Sequence, residues 1–320
     1  MSLAETAREI RTENYSYAFS PYPEPIARVA SGELLDIFTD DAFESRVQSV
    51  DDLPSKVLTD PYLNPQTGPI FVEGAEPGDT LCVEILEIAP ERDFVASAHI
   101  PYFGGLTGTA ATAMLNEPLP ERVFIYPLRD GFVEMPHGVR IPYAPFLGTI
   151  GTAPLFEAIS SLTPGPFGGN MDVADVCAGN VVRLPVRVEG AYFYTGDAHA
   201  AQGDGELCGV ACEMTARVRL RLTVEKGTAA PWPRIVSPGQ LMSVGSARPM
   251  EDAARIAYHD LLTWLEADYG WDRWEAYQLL TQAGRVRLGN MVDPQYSVVA
   301  KIDRELAEAA RSGRGGDGVR

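Results

Sequence analysis

The chain has 320 residues, 45% hydrophobic and 22% charged, with a formal net charge of −18. That length and balance fit a large buried core, as one big domain or two intimate ones. The negative charge argues against binding nucleic acid or an anionic membrane, and says little about a small neutral ligand.

No apolar run approaches the ~20 residues of a membrane span. Residues 1–14 are polar and lack an apolar signal core, which predicts a cytoplasmic protein. Cys82, Cys177, Cys208 and Cys212 show no paired zinc-ribbon spacing and read as reduced thiols. Most prolines and glycines fall in the first 250 residues and cut them into short segments. Apolar runs of strand length recur at 70–72, 80–88, 123–126, 181–188 and 210–224. Residues 217–225 read RVRLRLTVE. Alternation puts Val218, Leu220, Leu222 and Val224 on one face and Arg217, Arg219 and Arg221 on the other, a half-solvated antiparallel strand. Turn signals at 76–79 (EPGD) and 129–131 (RDG) separate strands.

The texture changes near residue 248. Ala254, Tyr258, Leu261, Leu262 and Leu265 recur at mostly helical spacing, and Gly270 predicts a C-cap. Asp272 predicts the N-cap of a second helix carrying Ala276, Leu279, Leu280 and Ala283. A last strand is expected at 296–301. The fold class expected is mainly β with α+β elements: β-sandwich or jelly-roll-like and barrel-like strands, with a C-terminal helical hairpin. The division expected is a β-rich catalytic region over 1–247, the hairpin with its final strand over 248–302, and a helical end with a flexible tail over 303–320.

Two polar islands stand out. Residues 196–206 read GDAHAAQGDGE, and residues 165–172 read GPFGGNMD. Their small residues let the backbone turn tightly and let a ligand approach. Their polar residues are the inventory of a hydrolytic or metal site: carboxylates, an imidazole and amides. Asp197 and His199 are two apart, so on a strand both point to one side, a spacing that suits two ligands of one ion. Asp172 is a candidate third ligand. Nitrogen plus carboxylate ligation suits a divalent metal, with zinc first.

Together the islands resemble the acetamidase/formamidase family of amide hydrolases. The segments at 68–79 and 148–154 and the region 258–300, with Val292-Asp293-Pro294, extend the resemblance to roughly residues 16–302. It implies that Asp172 and the 196–206 loop line the active site, that the enzyme hydrolyses a linear amide C–N bond, and that it is a homo-oligomer. With Asp197 and His199 serving metal and catalysis, Glu206 falls to general acid/base work. Asn170 and Gln202 are expected to bind the substrate amide, and His99 lies near a segment that the family uses beside the pocket. The chain departs from the family pattern in two places. Phe167 stands where the family usually has histidine, and residues 16–20 lack the usual histidine and carboxylate. Phe167 is therefore expected to line a larger, more aromatic pocket for a bulkier amide. The departures leave two rival readings: altered, non-hydrolytic chemistry on a specialised metabolite, and a catalytically silent small-molecule-binding relative.

Overall fold

The computed structural model describes residues 6–58, 63–107, 118–228 and 230–313. The chain is mostly β, with 40% strand against 16% helix, and its strands form two large sheets. The nine-stranded sheet runs Arg8–Ile10, Leu34–Thr39, Ala216–Glu225, Thr80–Pro90, Val181–Pro185, Arg234–Val236, Gln240–Ala247, Tyr296–Asp303, Arg285–Leu288. In the ten-stranded sheet, Phe193–His199 lies between Phe146–Gly151 on one edge and, on the other, Gln66–Val72 followed by Glu213–Met214.

The strand Ala216–Glu225 shows how sequence becomes core. Val218, Leu220 and Leu222 are fully buried. On the opposite face Arg217 and Arg219 pair with Asp36, and Arg221 with Glu84. Residues of both sheets, among them Leu35, Val83, Leu220, Ile70, Leu147 and Phe193, meet in one apolar cluster. Each fully buried aliphatic side chain there contributes about 1.5–3 kcal/mol. The sheets do not close into a barrel, which corrects the barrel-like part of the expectation. The nine-stranded sheet ends in the open edges Arg8–Ile10 and Arg285–Leu288.

The helical hairpin forms where its caps predict. The helix Met250–Tyr269 ends at Gly270, whose φ of 76° favours glycine. The Asp272 carboxylate accepts from the backbone N–H groups of Trp274 and Glu275 and so starts the helix Arg273–Ala283. The first helix lies close on the strand Gln240–Ala247, where a Cβ on Gly245 would sit 2.2 Å from Ala253 O. Asp260 of this helix is buried, gripped in two-toothed fashion by Arg234 at 2.8 and 2.9 Å and by the Ser243 hydroxyl at 2.7 Å. The final strand, Tyr296–Asp303, pairs with Gln240–Ala247 and is thus part of the nine-stranded sheet. A helix Arg304–Gly313 follows, and the rest of the expected tail, 314–320, lies outside the described residues. Among the described residues no helix is long and apolar enough to cross a membrane.

Candidate active site

Asp197 and His199 belong to the strand Phe193–His199, so the polar loop begins only at Ala200. The strand changes partner at this point. Its pairing with Gln66–Val72 ends at Gly196, and its pairing with Glu213–Met214 starts at Ala198. Asp197 falls between the two and takes the left-handed φ of 57°. The irregularity brings its carboxylate to the same place as His199, with Oδ1 3.2 Å from Nε2. Register then delivers a residue that local sequence pattern missed: Glu213 pairs with His199, and its Oε1 is 3.4 Å from Nε2.

Gly148 brings in the third expected ligand. Its carbonyl accepts from the backbone N–H groups of Met171 and Asp172. A Cβ at Gly148 would sit 2.5 Å from Asp197 Oδ2, 2.6 Å from Asp172 Oδ1 and 2.8 Å from the His199 ring. Glycine is required here because three polar side chains converge on that spot. The loop carrying Glu206 is tied to the C-terminal segment, with Gly205 N donating to Leu288 O and Gly289 O and Met291 N donating to Gly205 O. Asn290 donates from Nδ2 to Asp172 Oδ2 at 3.2 Å, and Asn170 from Nδ2 to Asp293 Oδ2 at 2.8 Å. Asn64 and Thr149 reach Asp197 Oδ2 at 3.3 and 3.0 Å. Asn64, Asp172, Asp197 and Glu206 all have positive φ, at about 1–3 kcal/mol each, strain that the surrounding packing and hydrogen bonds sustain.

The outcome is a buried group of five carboxylates, Asp172, Asp197, Glu206, Glu213 and Asp293, around one imidazole. Ligand atoms of Asp172, Asp197 and His199 lie within 4.8 Å of one another, as do those of His199, Glu206 and Glu213. Burial, and then the charge of Asp197, push the Asp172 carboxyl up to about 7. Burial likewise pushes Glu213 up to about 7. Glu206 and Asp293 are driven well above the usual carboxylate range, by burial first and by Asp172 second. Burial acts the same way on Asp197, but the facing His199 outweighs it and holds the carboxyl low. His199 moves well up, because Glu213 and Asp197 overcome its own desolvation.

Asp172 Oδ1, His199 Nε2 and Glu213 Oε2 are buried without a hydrogen-bond partner among the described residues. Buried charge of one sign with open lone pairs is costly unless a cation or protons complete it. The donor set of one nitrogen and several carboxylate oxygens fits a divalent ion. A cleft opens on the cluster. Asn64, Asn170, Asp197, Glu206, Glu213 and Asp293 line its polar side, and Phe43, Leu63, Ile100, Phe103, Leu162 and Val210 its apolar side.

The structure brings together Asp172, Asp197, His199, Glu206 and Asn170, and places three other expected site residues elsewhere. Phe167 is buried in a separate aromatic cluster with Phe19 and Tyr194, its ring 5.1 Å from that of Phe19, so it does not line the cleft. His99 packs against Phe124 at 4.9 Å beside the cleft rather than in its lining. Gln202 sits behind His199, where its amide is taken up by the protein itself. Besides Glu213, sequence reading gave no site role to Asp293, Asn64, Thr149 or Asn290. A glutamate inside the apolar run 210–214 was the available signal for Glu213, since a charged residue there must be buried with a partner.

The model of the acetamidase/formamidase family matches residues 6–163 and 156–306. The acetamidase of Mycolicibacterium smegmatis is 30% identical over 237 residues, 57% of this chain and 56% of that one. The chain spans about half the length of the curated relatives it matches. Among solved structures, the acetamidase from Yersinia enterocolitica superposes with a TM-score of 0.92 at 44% identity, covering 96% of this chain and 94% of that one. The acetamidase from Bacillus halodurans gives a TM-score of 0.87 at 32% identity, covering 94% and 99%. A family match over nearly the whole chain and close likeness to two acetamidase structures lead to one conclusion: this chain belongs to the acetamidase/formamidase family.

Proposed function

We propose that this chain hydrolyses linear amide C–N bonds with the help of a divalent ion, zinc first, held by Asp172, Asp197 and His199. The observation that carries the reading is the charge excess: five buried carboxylates face one imidazole, with three ligand atoms left open. What such an ion supplies is Lewis acidity toward the amide carbonyl and toward the attacking water.

The rest falls to the chain itself. The apolar wall of the cleft, with Phe43, Phe103 and Val210, excludes bulk water and packs the acyl group. Asn170 uses its amide to fix Asp293 and lines the cleft where the substrate amide enters. Glu206 faces the cleft with its carboxyl driven above the usual carboxylate range by burial, which suits it to donating a proton to the departing nitrogen. Glu213, with a pKa of about 7, is matched to accepting a proton from water. A cytoplasmic location and a homo-oligomeric state complete the reading.

The test uses the chain purified without chelator and a panel running from formamide to bulky amides, scored for ammonia or amine release. Release should stop on chelation and return when zinc is added back. No release from any amide, with a metabolite bound instead, would overturn the reading in favour of altered chemistry or a silent binding protein.

A further inference from the structure

Sequence position suggests that Gln202 touches substrate; its contacts give it different work. The side chain makes three hydrogen bonds, all within the protein. Its Nε2 donates to the backbone carbonyls of Asp172 and Gly289, each at 3.1 Å. Carbonyl oxygens only accept, so the atom facing them must be the NH₂ group and the amide cannot be flipped. Oε1 is thereby turned toward His199, 2.9 Å from Nδ1. An amide oxygen only accepts, so Nδ1 carries a proton whatever the charge of the ring. The other ring nitrogen, Nε2, is then the one presented to Asp197 and Glu213.

One further observation separates Gln202 from substrate binding. It does not line the cleft that holds Glu206 and Asp293; it lines a second one behind, with Asp172, Asp204, Arg287 and Gly289. The His199 ring is braced by the edge of Phe146, centroids 5.1 Å apart and planes at 85°. That contact is apolar and does not say which nitrogen points inward; the bond from Gln202 does. By bonding Asp172 O as well, the same amide ties the backbone of one expected ligand to the ring of another.

We propose that Gln202 is a positioning residue for the cation site: it fixes the proton on His199 Nδ1, aims Nε2 at the ion, and holds Asp172 in register with it. The inference rests on the metal reading given above. Partners of this kind typically change metal affinity about 10–100-fold.

The test compares wild type, Gln202→Leu and Gln202→Glu as full-length zinc-loaded protein. Zinc affinity is read by competition with a chromophoric chelator. The His199 ring N–H is read by nitrogen-15 NMR, which the chain's four histidines keep simple. Gln202→Leu should weaken zinc about 10–100-fold and lose the protected ring N–H signal. Gln202→Glu keeps an acceptor toward Nδ1 and gives up donors to the two carbonyls. It should retain the ring signal but recover only part of the affinity, because the tie to the Asp172 carbonyl is lost. A fall in Tm of the metal-free protein without change in zinc affinity or ring signal would make the role merely structural and overturn the proposal. A rise in KM alone at unchanged zinc affinity would overturn it in favour of substrate contact. Wild type that binds no zinc would overturn the metal reading and this inference with it, whereas wild type that binds zinc as Gln202→Leu does would overturn this inference alone.

Discussion

Two buried carboxylate sites in this molecule are built on opposite plans. Asp260 is 1% exposed, yet each of its oxygens has a partner: Arg234 grips both, and Ser243 adds a third bond. The acid cluster at the end of the strand Phe193–His199 is as deeply buried, but it gathers five carboxylates around one imidazole and leaves open lone pairs. The first is an ion pair that fixes a helix to a sheet. The second is a poor fastener, because its acids outnumber the imidazole and removing a surplus charge such as that of Asp172 would relieve repulsion. Burial of a carboxylate thus says little by itself; whether the protein supplies the counter-charge separates scaffold from site.

The largest effects should come from exchanging the fates of these two places. Asp197→Ala or Asp172→Ala should reduce amide hydrolysis at least ~10³-fold and abolish metal retention. Asp172→Ala, which removes a surplus charge, should leave the metal-free protein as stable as wild type or more so, whereas Asp197→Ala also removes the carboxylate that faces His199 and should cost stability. Asp260→Ala should do the reverse of Asp172→Ala, costing about 3–5 kcal/mol in denaturant unfolding while the folded fraction keeps its turnover. A metal-free Asp172→Ala protein that unfolds as readily as Asp260→Ala would erase the distinction.

Glu206→Gln comes next. As the proton donor to the leaving nitrogen, Glu206 should be worth ~10²–10⁴-fold in kcat with little change in zinc binding. Steady-state kinetics beside metal analysis would show it; a change in KM alone would move Glu206 to substrate binding.

The cluster should also reveal itself through pH. Asp172 and Glu213 have folded pKa values raised to about 7, so the folded chain binds protons that the unfolded chain has released. Stability of the metal-free protein should therefore fall as pH rises from the ordinary carboxylate range, about 4, through about 7. The carboxylate of Asp36, held low by its hydrogen bonds to Arg219, has the opposite sign, its contribution fading as pH drops. Saturating zinc should remove the loss at neutral pH. Thermal melts across this range, with and without zinc, would expose a pH-independent Tm as the contrary result.

The smallest effect on catalysis is expected at Phe167. Its ring fills an aromatic cluster with Phe19 and Tyr194. Phe167→Ala should cost about 3–5 kcal/mol of stability and leave KM for small amides unchanged. A shift in amide preference would return Phe167 to the pocket wall.

What the sequence made legible follows from the range of the forces involved. Local rules placed Gly270 and Asp272 at helix ends and sorted Val218, Leu220 and Leu222 from the intervening arginines. The spacing of Asp197 and His199 was readable because it lies within one strand. Glu213, Asp293 and Asn64 were not readable as site residues, because strand register and distant loops carry them to the site. The contacts of Gln202 were unreadable for a related reason. Its residue type suits substrate binding, but its partners, Asp172 O and Gly289 O, lie 30 and 87 residues away in sequence. Phe167 misled as well, since a position beside an active-site motif can still face the other way.

The central claim is that the open acid cluster is completed by a cation, and calorimetric titration of zinc into the chelator-stripped chain tests it most directly. Saturable binding is expected, abolished by Asp172→Ala and Asp197→Ala and preserved by Asp260→Asn. Amide hydrolysis by a stripped chain that takes up no zinc would contradict it.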